Sequence, residues 1–228
     1  MLTLFAAGPV PEPAPTVTLV VLAKDPRPGH AKTRLSPPWT PAEAALLAEA
    51  ALLDTLDAAA ATPGIDVVLA LDGTPGPWLP AGLAVLPQCG GGLAARIGAA
   101  MADTQRSTGR PVLLVGMDTP QLTPDLLTAA AELLLRPGTD AVLGDAEDGG
   151  WWALGLRTAD AALLLGVPMS AAGTGAATRC RLAERQLRVA DLPRLRDVDT
   201  DADASAVATV APGSRFAALL STLRSAAA

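Results

Sequence analysis

The chain has 228 residues, which suits one α/β domain or two small ones. Its 17 Lys and Arg against 23 Asp and Glu give a net charge of −6, which argues against a broad nucleic-acid or anionic-membrane surface. Half of the residues are hydrophobic but only 3% are aromatic, so the core must come from Ala, Leu and Val, and base-stacking platforms are disfavoured.

Residues 1–15 read as a flexible lead-in. Met1–Ala7 is apolar without a basic flank and runs into the proline-rich Gly8–Pro15. A single domain over 16–228 is expected to follow. Its first strand is Thr16–Ala23, a β-branched apolar run. After the loop Lys24–Pro38, Thr40 and Pro41 have the residue types of an N-cap and first helical position, opening a helix to about Ala61. Strands are expected at Asp66–Leu71 and Leu83–Leu86, then a helix beyond Gly90–Gly92 through Met101.

Pro111–Val115 is the next strand and Thr123–Leu135 the next helix. Strands at Asp140–Leu143 and Trp151–Leu156 follow, then helices at Thr158–Leu165 and Ala176–Gln186. A weak strand at Leu187–Ala190 and one C-terminal helix from about Asp201 end the series. Apolar strands alternating with helices predict a single-domain, mostly parallel sheet with helices on both faces. No apolar run reaches the roughly 18 to 20 residues of a membrane span. Cys89 and Cys180 form neither a disulfide framework nor a metal cluster, and a lone His30 excludes mechanisms needing two imidazoles. A cytoplasmic location is the expectation.

Ligands of open parallel sheets bind beyond the carboxyl ends of the strands, so polar residues directly after strands are the candidates. Lys24 and Lys32, the only lysines in the chain, share the loop after the first strand. Lysine is a compact charge for phosphate where the planar arginine fork does not fit, and Gly29 lets the backbone approach a ligand. A Walker A loop is a poor fit, because the G-x-x-x-x-G-K-[ST] spacing is missing. Asp118, in Gly116-Met117-Asp118-Thr119-Pro120, is suited to a divalent cation that bridges phosphates.

Asp145, Glu147 and Asp148 precede Gly149-Gly150 and form an anionic loop for a cation or a hydroxyl-bearing substrate. Asp197 and Asp199 alternate on one face of a short expected strand and offer a second carboxylate. Gln88-Cys89-Gly90-Gly91-Gly92-Leu93 leads into a helix N-terminus, with Arg96 one turn inside.

Together these segments read K-x-P-x-P-G-x-x-K-T-R-L, Q-x-x-G-x-L-x-x-R, G-x-D-x-P-x-L, E-D-G-G and D-V-D-T, in order from about Thr16 to Asp201. The pattern resembles the bacterial GT-A-fold transferases grouped as glycosyltransferases, some of the arsenosugar-biosynthesis type. It is also similar to the 2-phospho-L-lactate guanylyltransferases, which carry a K-T-R-L element. The resemblance implies a Rossmann-like nucleotide-diphospho-sugar transferase fold with magnesium or manganese as cofactor. Lys24, Gly29, Lys32, Thr33, Arg34, Gln88 and Gly91 would bind the nucleotide and its phosphates. Asp118 and Asp199 would hold the metal, Glu147, Gly149 and Gly150 would face the acceptor or sugar, and Asp148 is the catalytic candidate, to orient or deprotonate an acceptor hydroxyl.

The implied partners are a nucleotide or nucleotide-sugar donor and a small-molecule acceptor. Three functions follow: a metal-dependent glycosyltransferase, a nucleotidyltransferase acting on a phosphorylated small acid with release of pyrophosphate, or a non-catalytic nucleotide-binding protein. The segment at Asp118 lacks the D-x-D of many GT-A glycosyltransferases. Trp151-Trp152 stands where relatives commonly carry tyrosine, and Met169-Ser170 where Trp-Ser or Trp-Gly is expected.

Overall fold

The computed structural model of the protein describes residues 16–227, so the expected lead-in 1–15 lies outside the described residues. Seven strands form one sheet: β1 (Val17–Lys24), β2 (Ile65–Asp72), β3 (Ala84–Pro87), β4 (Val112–Gly116), β5 (Ala141–Asp145), β6 (Trp151–Leu156) and β7 (Val189–Asp191). Their spatial order is β3-β2-β1-β4-β6-β5-β7. All pairs are parallel except those of β6, which runs antiparallel to β4 and β5. β5 and β6 are consecutive and joined by only five residues, too few for a parallel crossover.

Among the described residues there are six α-helices, α1 (Pro41–Ala60), α2 (Leu93–Thr108), α3 (Pro124–Leu135) and α4 (Thr174–Glu184) against the sheet, and α5 (Asp201–Val210) and α6 (Arg215–Ala227) outside α1. α1 begins with the expected chemistry. Thr40 accepts from the Glu43 amide, Glu43 reaches back to the Thr40 amide, and Pro41 occupies the first turn, where its missing N–H costs nothing. Thr123 and Pro124 open α3 in a similar way, the threonine accepting from the Leu126 amide.

Alternation along β1 separates two cores. Val17, Leu19 and Val21 face α1 and α3, whereas Val20 packs with Ile97, Ala100 and Met101 of α2 and Leu182 of α4. A third cluster sits outside α1, where Phe216 and Leu220 of α6 meet Leu47 and Ala51. The sheet therefore has helices on both faces, as the alternating sequence pattern predicts. Among the described residues no helix is long and apolar enough to cross a membrane.

Two helix expectations are corrected. Residues 158–165 form successive turns instead of a helix. The backbone bonds here span three residues, Leu163 to Asp160, Leu165 to Ala162 and Val167 to Leu164, Asp160 accepts from the Ala162 amide, and Arg181 donates to the carbonyls of Leu163 and Leu165. The turns pack closely on α2, where a Cβ at Gly98 would stand 2.3 Å from the Ala161 carbonyl oxygen. The C-terminal helix is two helices, parted at Pro212-Gly213. Asp54 of α1 starts the second by accepting from the amides of Arg215 and Phe216, at 3.0 and 2.9 Å.

Candidate functional site

β1 and β4 are neighbours, but the chain leaves them in opposite directions across the sheet. The crevice this creates at their carboxyl ends is where open α/β sheets bind ligands. Two connected cavities open there, of about 260 and 190 Å³. They share Leu22, Arg34, Leu93, Gly116, Asp118 and Asp199, so they are two lobes of one cleft with the two acids on the dividing wall.

The first lobe is lined by Lys24 at the end of β1, by His30, Lys32, Thr33 and Arg34 of the following loop, and by Gln88 and Arg96. Gly29 turns that loop at a φ of +75°, with open space where a side chain would stand. Lys32 adopts a left-handed φ of 50°, uncommon for a side-chain-bearing residue. Its ammonium lies between two carboxylates, 2.7 Å from Asp118 Oδ2 and 3.0 Å from Asp199 Oδ1. Arg34 Nη1 holds the other Asp199 oxygen at 2.7 Å.

Gln88 sits just beyond β3. Its side-chain amide donates to the carbonyls of Ala23 and Ala70, at 2.8 and 2.9 Å, tying the ends of β1 and β2 together and leaving Oε1 as the group offered to the lobe. Arg96 pairs with Asp72 at 2.6 Å. No side chain caps the N-terminus of α2, whose first residue, Leu93, borders both lobes.

The second lobe is lined by Asp148, Asp197 and Gly150, by Trp151, Ile97 and Leu114, and by the segment Met169–Ala171 with Thr174. Asp148 Oδ1 accepts from the Gly150 amide at 2.7 Å, which fixes the carboxylate in a tight turn. Gly149 has a φ of +89°, and a Cβ there would fall 2.0 Å from the Ala172 carbonyl oxygen. This close contact locks the acidic loop against the start of α4. Trp151 is oriented by donating to Thr178 Oγ1 at 3.1 Å.

Three carboxylates meet at the wall. Asp118, Asp197 and Asp199 each offer an oxygen within 4.8 Å of the others. Asp197 and Asp199 do not lie on the short strand expected for them. The segment is extended coil, pinned where the Val198 amide donates to the Asp118 carbonyl at 3.0 Å. That bond turns the acids on either side of Val198 towards Asp118. Burial pushes the Asp197 carboxyl up to about 7, and the charges of Asp118, Asp148 and Asp199 add to the rise.

Burial also opposes ionisation of Asp199, but Lys32 and Arg34 outweigh it and lower its pKa. For Lys32, burial disfavours the charge, and Asp118 with Asp199 more than restore it. The oxygen-only donor set and the accumulated negative charge fit a hard divalent cation such as magnesium or manganese. The Lys32 ammonium marks the position where this wall already requires positive charge.

Of the residues singled out in the sequence, Lys24, Lys32, Thr33, Arg34, Gln88, Asp118, Asp148, Gly150 and Asp199 line the cleft. Gly91 stands in open space before α2. Glu147 turns away from the cleft and pairs with Arg196, although its neighbour Asp148 faces in. Asp197 is the third carboxylate, and its two-residue spacing from Asp199 was the available signal. Of the Met169–Thr174 wall, only Met169-Ser170 stands out in the sequence, as a departure from the resembled pattern, and the rest emerges from packing.

The chain belongs to a family described as an uncharacterized protein conserved in bacteria (DUF2064), whose pattern matches residues 55–171. No curated protein matches the sequence. Among solved structures, it is similar to a protein of Desulfovibrio desulfuricans G20 provisionally named a nucleotide-diphospho-sugar transferase. Identity is 25%, coverage 92% of this chain and 95% of that one, and the TM-score 0.83.

It shares its fold with a CMP:2-keto-3-deoxy-manno-octonic acid synthetase complexed with CTP, at 12% identity, 87% and 99% coverage and a TM-score of 0.57. A cytidylyltransferase from Leptospira borgpetersenii serovar Hardjo-bovis (strain JB197) matches at 12% identity, 92% and 94% coverage and a TM-score of 0.53. The fold is therefore that of the nucleotide-diphospho-sugar transferases.

Proposed function

We propose that this member of the family is a divalent-metal-dependent transferase that takes a nucleotide-diphospho-sugar as donor and passes the sugar to a small acceptor. One observation carries the reading: Asp118, Asp197 and Asp199 converge on the wall between a cation-lined lobe and an acid-lined lobe. The likeness to the Desulfovibrio protein over nearly the full length of both chains supports it.

Asp118, Asp197 and Asp199 would hold the metal, which when bound screens the charge developing on the departing phosphate. Lys24, Arg34 and the Lys32 ammonium supply fixed positive charge for the donor phosphates. The uncapped α2 terminus adds N–H groups and the positive end of its dipole. Gln88, braced by two strand-end carbonyls, offers a rigid acceptor to the nucleotide.

On the other side of the wall, Asp148 takes the proton of the acceptor hydroxyl. The acceptor oxygen bonds to the anomeric carbon, the carbon–oxygen bond to the diphosphate breaks, and the nucleoside diphosphate leaves. A nucleotidyl transfer is the second reading, favoured by the absence of a D-x-D at Asp118 and by the shared fold with cytidylyltransferases. There the acceptor oxygen would bond to the α-phosphorus of a nucleoside triphosphate and pyrophosphate would leave.

The test is a thermal-shift panel of nucleotide-sugars and nucleoside triphosphates, each with and without magnesium, followed by identification of the released product. A magnesium-dependent shift with a nucleotide-sugar and release of nucleoside diphosphate supports sugar transfer. Pyrophosphate release supports nucleotidyl transfer. No shift with any nucleotide at millimolar concentration overturns both.

A further inference from the structure

The two lobes differ in sign, and this bears on the acceptor. We propose that the second lobe receives an acceptor without phosphate or carboxylate: a neutral or positively charged hydroxyl or amine compound with one apolar face. The proposal rests on the transferase reading for the word acceptor, but on the lobe alone for its chemistry.

Four carboxylates line this lobe, those of Asp118, Asp148, Asp197 and Asp199, against the single guanidinium of Arg34. One nitrogen of that guanidinium is held by Asp199 at 2.7 Å, and the nearby Lys32 ammonium lies between Asp118 and Asp199. Among the described residues, neither Asp148 nor Asp197 pairs with a cation. A divalent ion accompanied by a diphosphate would add no net positive charge here, so the excess of carboxylates persists in the loaded cleft.

On the α4 side of the lobe, backbone donors are withheld from an anion. The lobe borders the N-terminus of α4, where a phosphate would ordinarily find free amides. Here the Thr174 amide donates to the Ala171 carbonyl at 2.9 Å, and the Gly175 amide to the Gly149 carbonyl at 2.8 Å. The close approach of Gly149 to Ala172 maintains this arrangement. An incoming phosphate would lose its hydration, meet four carboxylates and find fewer free amides at α4 than a helix start ordinarily offers. An ammonium or hydroxyl group would donate to Asp148, while Ile97, Leu114, Trp151 and Met169 cover an apolar face.

Trp151 lines the lobe and can report its occupancy by fluorescence, with Trp151→Phe identifying its share of the signal. The full chain, with magnesium, is titrated with three sugars matched at one carbon: glucose, 6-amino-6-deoxyglucose and glucose 6-phosphate. The amino sugar should bind at least about tenfold more tightly than the phosphate, with the gap closing as salt rises. Ala171→Lys, which adds a cation on an exposed wall position, should narrow or invert the order.

Equal or tighter binding of glucose 6-phosphate by the unaltered protein overturns the proposal, as does the absence of a Trp151 response to all three sugars. Thermal shifts with nucleotide and magnesium on the same preparation separate the two failures. A retained nucleotide shift with phosphate preferred removes only the acceptor assignment. A missing nucleotide shift removes the transferase reading, and the sugar order still decides the chemistry of the lobe.

Discussion

Apart from the shared Asp118 and Asp199, the first lobe draws its polar lining from two short sequence runs, Lys24–Arg34 and Gln88–Arg96, each at the end of a parallel strand. The second is gathered from the loop before β6, the start of α4 and the extended segment before α5, with α2 and β4 behind it. One side adds two ammonium groups and the Arg96 guanidinium to the shared Arg34 and α2 terminus, whereas the other adds two further carboxylates and apolar side chains. The wall between them combines both sets, with Lys32 bridging Asp118 and Asp199. A charged donor and an acceptor of different sign can therefore be sorted before either reaches the wall, because an incorrect orientation brings like charges together.

The largest effect should come from removing the wall itself. Asp118→Ala should reduce transfer by about a thousandfold or more while circular dichroism stays unchanged, since it deletes an acid shared by both lobes. Activity within tenfold of the unaltered protein would break the division into lobes that meet at a metal.

Lys32→Ala should cost about 2–3 kcal/mol of stability in metal-free urea melts, because it leaves a partly buried group of carboxylates without its cation. Magnesium should recover much of that loss. An equal loss with and without magnesium would mean that the lysine position and the metal position are unrelated.

Asp197 sharpens the comparison through pH. Its folded value of about 7 lies above the ordinary aspartate range, so the neutral form is the one the fold favours. The stability it contributes is complete below the ordinary range and is lost as pH rises through about 7. Asp197→Asn should therefore flatten the decline in metal-free stability from pH 4 to 8, a difference on the order of 2 kcal/mol after solvent screening. The same substitution should weaken magnesium binding. Parallel pH curves for the two proteins would remove the burial argument.

Glu147→Gln should have the smallest effect. Glu147 and Arg196 form an exposed pair outside the cleft, so activity should remain within about twofold and stability within about 0.5 kcal/mol. A large activity loss would show that the acidic loop acts as one unit instead of dividing between cleft and surface.

Local rules made much of the fold legible. The Thr40-Pro41 and Thr123-Pro124 helix starts appear as the sequence indicates, because a cap depends only on residues within one turn. Lys24, Lys32, Arg34, Gln88 and Asp118 could be identified because a parallel sheet delivers whatever follows its strands to one edge. Residues 158–165 could not, because their apolar composition suits a helix, whereas the folded segment makes three-residue turns packed closely against Gly98 of α2.

The sequence by itself determined the alternation of strands and helices, the lack of stacking aromatics and the residue types available to the cleft. Only the tertiary structure decided how they combine. It brought Asp197 beside Asp118 through one backbone hydrogen bond, sent Glu147 outward while Asp148 turned in, and set Lys32 between two acids far from it in the chain. Caps and strand periodicity follow from neighbours along the backbone. The sign and shape of a cleft depend on which distant segments share a few ångströms of space.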